Sequence, residues 1–206
     1  EIFNKVNKKI ASGEESSEKE KNKVIKKVLK QKLPLFITAN KSFEIENVIH
    51  SLREFDIDLT ICGGYQVDQV LDLVREKGVP LIIGELIYLT SKNYNNTDLY
   101  KIAQLQKNDI PVSFTLTGRS GTSGKVMYLW NAIEFYKAGL ESEEVLKMMT
   151  INPAKILGLE EELGSIEEGK KADIVIYDDN PIKYYQAQVS HTLIKGKLAY
   201  ERGAAN

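Results

Sequence analysis

The chain has 206 residues, 42% of them hydrophobic, enough to bury the core of one large domain. Its 28 basic and 29 acidic side chains nearly cancel, which argues against a nucleic-acid partner. The single Cys62 excludes an internal disulfide and a cysteine zinc site. With no apolar run of membrane-spanning length and no recognisable signal peptide, no membrane partner is expected; the compartment is left open, with the cytoplasm slightly favoured. Because the sequence opens on Glu1 rather than Met, we read it as a piece of a longer protein.

Residues 1–32 are highly charged and read as a loop and helix leading into the main domain. Glu14 to Lys23 has no apolar stripe, so it is a solvated loop or the exposed start of a helix. Val24, Ile25, Val28 and Leu29 then give the stripe of an amphipathic helix, with its lysines on the wet face. Over residues 33–164 strands and helices alternate. Leu33–Ala39 is a strand and Ser42–Phe55 a helix. Leu59–Cys62 is a strand, and Val67–Lys77 a helix stopped by Gly78. Val79–Gly84 is a strand, Thr97–Lys107 a helix, Ile110–Leu116 a strand, and Gly124–Ala138 and Ser142–Met149 are helices. Four strand–helix units with short connections require parallel strands and right-handed crossovers. They fit a doubly wound sheet or half of an eight-stranded barrel. Over residues 165–206, Ala172–Tyr177 and Leu193–Tyr200 read as antiparallel strands, with a turn at Ile194–Lys197.

Two runs near the C-terminal end are the most specific signals. They are Thr150-Ile-Asn-Pro-Ala-Lys-Ile-Leu-Gly158 and Leu163-Gly-Ser-Ile-Glu-Glu-Gly-Lys-Lys-Ala-Asp-Ile-Val-Ile-Tyr177. Together they resemble the closing signature of the metal-dependent amidohydrolases, in the imidazolonepropionase-like branch. The resemblance extends more weakly over nearly the whole chain. It implies an α/β fold: the C-terminal half (strands five to eight) of a (β/α)8 TIM barrel, plus strands of a small β-sandwich. It implies hydrolysis of non-peptide C–N bonds, in cyclic amides or amino-acid derivatives, with zinc or another divalent metal.

Barrel chemistry sits at the C-terminal ends of the strands. The family's fifth strand ends in a "HAH" pattern whose first histidine is a ligand; here those positions are Thr38 and Asn40. The sixth ends in "EHG"; here Cys62 and Gly63 stand there. The eighth ends in "TDHP", whose Asp binds metal; here Gly118 and Arg119 stand there. Thr and Asn are weak neutral ligands, Gly offers none, and Arg119 adds positive charge where a cation would sit. We therefore expect no metal and no cofactor. The amidohydrolase-related chain would be catalytically degenerate, with a binding or structural role. The alternative is a metal-dependent hydrolase of which this is a fragment.

Cys62 reads as a small buried hydrophobe rather than a nucleophile, since no histidine accompanies it. His50 is a surface or boundary residue, and His191 is structural. The loop Gly118–Lys125 follows a strand and opens a helix, the setting in which backbone amides face an anion. Arg119, Ser120, Thr122 and Lys125 make it a candidate site for a small anionic ligand; the competing reading is a flexible glycine loop in an abandoned active site. Asn152 reads as a helix N-cap with Pro153 in the first turn. Trp130, Phe135 and Tyr136 are core or interface, and Tyr184-Tyr185 packing, with interface contact as the alternative. A half barrel leaves two strand edges and an apolar inner face, to which Phe36, Ile61, Ile82 and Phe114 or their neighbours would contribute. The partners expected are the missing N-terminal half of the barrel or a second copy of the chain.

Overall fold

A computed structural model describes residues 1–12, 20–84, 97–115 and 122–203. Two helices, α1 (Ile2–Ser12) and α2 (Glu20–Leu29), pack on each other at the start. The charge-based reading of residues 1–32 overlooked α1. Its apolar residues Ile2, Phe3, Val6 and Ile10 are diluted by lysines, yet Val6 is buried, and the Phe3 ring lies 5.5 Å from that of Phe55. In α2 the buried contact is narrower than its stripe, because Val28 is buried and Val24 is exposed.

Four parallel strands come next, in the order β1 (Leu35–Ala39), β2 (Leu59–Gly63), β3 (Leu81–Ile83) and β4 (Val112–Phe114). Between and after them run α3 (Ser42–Leu52), α4 (Leu71–Lys77), α5 (Leu99–Lys107) and α6 (Thr122–Lys137). The helix expected over Val67–Lys77 is split. Val67–Gln69 is a 3-10 turn, and Val70, at φ −132°, leaves helical geometry before α4 starts. Gly78 ends α4 in the left-handed conformation, at φ 60°.

The register aligns Ile37, Ile61, Leu81 and Val112 in one row, and Ala39, Gly63, Ile83 and Phe114 in the next. These rows share one face. Ala39, Ile61, Leu81, Ile83, Val112 and Phe114 of these rows join Ile45 and Ile49 of α3, Val74 of α4, Ile102 and Leu105 of α5 and Phe135 of α6 in the main core. Phe36, Thr38, Cys62 and Ile82 alternate onto the other face, where Phe36 is 39% exposed. Of the four residues expected on the inner face, Ile61 and Phe114 therefore belong to the helix-packed core instead. The period of two was readable, but its phase differs from strand to strand.

Two more helices, α7 (Ser142–Met149) and α8 (Ile151–Leu157), close against β4, and the Ser113 hydroxyl donates to the Met148 carbonyl at 2.9 Å. Asn152 is not the N-cap. The helix begins at Ile151, with Thr150 at the N-cap position two residues before the expected one, and Asn152 is 4% exposed. Its Nδ2 donates to Gln106 Oε1 at 2.6 Å and to the Val112 carbonyl at 2.8 Å. Gln106 in turn donates from Nε2 to Glu144 Oε2 at 3.0 Å. One side chain thus ties α8 to α5 and β4.

The tail forms an antiparallel sheet of β5 (Ile174–Tyr177), β6 (Val189–Ile194) and β7 (Lys197–Glu201). The β6–β7 turn uses Lys195 and Gly196, both at positive φ, as a two-residue hairpin turn requires. Ile182 reaches into the main core, and Asn180 Nδ2 donates to Ser142 Oγ at 3.2 Å, so the tail is joined to α7. Tyr184 and Tyr185 are 54% and 87% exposed, so the packing expected for them does not occur. They come after a turn organised by Asn180 in which Ile182 alone is buried. No helix among the described residues is long and apolar enough to cross a membrane.

Candidate functional site at the strand ends

The end of β1 passes into α3 within two residues. Glu44 makes this possible: its Oε2 accepts from the backbone N–H of Asn40 at 2.9 Å and of Lys41 at 3.0 Å. Those bonds, Lys41's first, hold its carboxyl below the ordinary glutamate range. The end of β2 is built from two left-handed glycines, Gly63 at φ 93° and Gly64 at φ 62°. Gly64 N–H donates to the Ala39 carbonyl, and Gln66 N–H to the Asn40 carbonyl, each at 2.9 Å. Gln66 Oε1 accepts from Ser42 N–H at 3.2 Å. The two strand ends are therefore stitched to each other.

These connections bring Thr38, Asn40, Cys62 and Gly63 together. Thr38 and Cys62 are register partners, as are Ala39 and Gly63. The carboxamide of Asn40 lies over Gly63: a Cβ there would stand 2.1 Å from Asn40 Oδ1 and 3.1 Å from its Cγ. That oxygen is buried and has no hydrogen-bond partner. At the end of β3, a Cβ on Gly84 would meet the Tyr65 hydroxyl at 2.3 Å. The Thr97 hydroxyl donates to the Tyr65 carbonyl.

Gly118, Arg119 and Ser120 lie outside the described residues, and Thr122 and Lys125 fall in the opening turns of α6. Cys62 is half-buried, and burial pushes its thiol pKa up, which opposes the thiolate that a nucleophile or ligand needs. His50 is exposed on α3. His191 lies in the tail sheet, its Nε2 3.6 Å from Glu201 Oε1.

Sequence reasoning passed over Asp68, in the 3-10 turn. Burial pushes its carboxyl pKa up, against the Asp98 backbone N–H that bonds it and the nearby charge of Lys101. One of its oxygens is buried without a partner. An acidic residue opening a helical turn is so ordinary a pattern that nothing in the sequence singled it out. A cavity of about 610 Å³, lined by Lys32, Asp58, Lys77, Pro80, Lys155 and Glu160, opens at the other, N-terminal ends of the strands. In a barrel that face carries stability rather than chemistry.

The divalent metal that the resemblance implies does not fit the residues described at these strand ends. Thr38 offers a neutral hydroxyl, Cys62 a half-buried thiol whose pKa burial raises, and Gly63 nothing. Among the described residues no group of three His, Cys, Asp or Glu side chains is placed to hold a metal ion.

Comparison with known proteins agrees with the fold. A family model described as "Amidohydrolase family" matches residues 9–199. The chain is 30% identical to the N-substituted formamide deformylase of Arthrobacter pascens over 155 residues, covering 68% of this chain and 29% of that protein. It is 46% identical to the imidazolonepropionase of Thermoplasma acidophilum over 69 residues, covering 31% of this chain and 17% of that protein. An amidohydrolase crystal structure from Thermotoga maritima superposes with a TM-score of 0.81 at 28% identity, over 98% of this chain and 54% of that one. The chain thus spans about half of that structure and less than a third of those two relatives.

Proposed function

The chain belongs to the amidohydrolase family, and on that premise we propose that it is a catalytically degenerate member with a binding or structural role. The observation that carries this reading is the makeup of the ends of β1 and β2. Where the family's ligands are expected stand Thr38 and Gly63, and Gly63 is held at φ 93° against Asn40. A hydrolytic metal needs several imidazole or carboxylate donors to lower the pKa of a bound water, and among the described residues no such set converges there. Elemental analysis of the full-length protein tests it. The expected result is zinc, iron and manganese each far below one equivalent; a full equivalent that is lost on mutating strand-end residues would sink the reading. The names of the relatives favour a second reading, a metal-dependent hydrolase acting on non-peptide C–N bonds. On that reading chelation abolishes a measurable amide hydrolysis. The anion-site proposal for Arg119, Ser120, Thr122 and Lys125 is tested by thermal shift with phosphate and carboxylates.

The same reading extends to assembly. Among the described strands, β1 and β4 are the outer two of the four-stranded sheet, and each pairs on one side only. Their free backbone groups and the exposed Phe36 favour association, either with the N-terminal half of the barrel or with a second copy. In sedimentation at micromolar concentration, the 206-residue chain alone is expected to run above its 23.3 kDa monomer mass. A concentration-independent monomer would rule this out.

A further inference from the structure

Building on the metal-free reading, we infer that Asn40 is the residue that closes the former metal position. Its carboxamide fills the space that any side chain at position 63 would need, so the two positions are coupled. Three observations carry this. First, of the three nearest atoms to a Cβ built on Gly63, two belong to the Asn40 side chain, at 2.1 and 3.1 Å, while the third, the Ala39 carbonyl oxygen, stays at an ordinary 3.6 Å. The obstruction is therefore one side chain and not the surrounding backbone. Either orientation of the amide puts a heavy atom in that space.

Second, Asn40 is not free to swing away with its backbone. Its N–H is held by Glu44 and its carbonyl by Gln66 N–H, each at 2.9 Å. Third, Asn40 Oδ1 is buried with no conventional donor. A buried amide oxygen without a partner is unfavourable and is retained only where the packing around it compensates. Here the oxygen occupies the space left by the missing Cβ of Gly63, where a substituted residue would clash with it. Asn40 and Gly63 thus behave as one unit: a glycine that leaves the gap and an amide that fills it. A histidine returned to position 63 meets this unit as well as the unfavourable positive φ.

A double-mutant cycle tests the coupling. Asn40→Ala, Gly63→Ala and the double variant are compared with the unmodified chain by equilibrium urea unfolding. Alanine at 40 removes both obstructing atoms but leaves the left-handed backbone at 63 unchanged. The cost of Gly63→Ala, read as the fold-increase in the unfolding constant, is expected to be at least about tenfold smaller when Asn40 is already Ala. Equal costs within about twofold in the two backgrounds would overturn the inference and assign the whole effect to backbone strain. If Gly63→Ala does not fold, a folded double variant supports the coupling, and a double variant that also fails overturns it. The cycle is separable from the metal-free reading. A stoichiometric metal in the unmodified protein defeats that reading, whereas additive costs with no metal bound defeat only the role of Asn40.

Discussion

Asn152→Ala is expected to destabilise the protein by about 2–4 kcal/mol, through two buried acceptors that each lose a donor. Asn152 Nδ2 supplies hydrogen bonds of 2.6 Å to Gln106 Oε1 and 2.8 Å to the Val112 carbonyl. After truncation, Gln106 Oε1 keeps only the Val112 N–H at a long 3.3 Å. Water has poor access, because Gln106, Val112 and Asn152 are all buried. The measurement is a urea midpoint at unchanged slope. Asn152→Asp is the sharper variant. Aspartate is as good an N-cap as asparagine, so a capping role would leave stability nearly unchanged. In the observed position it would turn a carboxylate toward two acceptors, and the loss should exceed that of the alanine variant. Retained stability in Asn152→Asp would restore the capping role and remove the clamp.

The contrast between these two roles shows where sequence reasoning reaches and where it stops. The alternation of strands and helices was legible because Leu35–Ala39, Leu59–Cys62 and the later apolar runs are short and uninterrupted, and because Gly78 marks a helix end. The signature Asn152-Pro153-Ala154 gave the start of a helix to within two residues. It could not say which way the Asn152 side chain turns, since that depends on Gln106 and Val112, brought near only by the fold. The phase of each strand was hidden for a similar reason. Ile61 and Phe36 are equally apolar, and only the register decides which one meets the helices. Thr38 and Gly63 were singled out in the sequence only by comparison with a family pattern. The contact between Asn40 and Gly63 was not, because it depends on a positive φ and on two loops bonded through Gln66, Glu44 and Ala39.

Phe135→Ala is expected to cost about 3–5 kcal/mol, the range for emptying a fully buried aromatic site that cannot collapse. Phe135 is completely buried, and its ring stacks on Phe114 at 5.9 Å and 18°. Phe114 also meets Tyr128, at 5.0 Å between ring centroids. Three rings from β4 and α6 therefore fasten the outer strand of the sheet to its following helix. Trp130 on the same helix supplies the control. It is 46% exposed, and the Lys137 ammonium lies 5.5 Å from its ring centroid. An exposed cation–π pair of this kind contributes about 0.5–1 kcal/mol at most. Trp130→Ala should then shift the urea midpoint several-fold less than Phe135→Ala, although it removes the larger side chain. Hydrogen exchange adds a local readout: in the Phe135 variant the amide of Thr115, which donates to the Ile83 carbonyl at 3.0 Å, should lose protection before those of β1 and β2. Equal costs for the two variants would mean that Trp130 is covered in solution. The exposed aromatic face of α6 would then be a contact surface, and the assembly measured by sedimentation would have to include it.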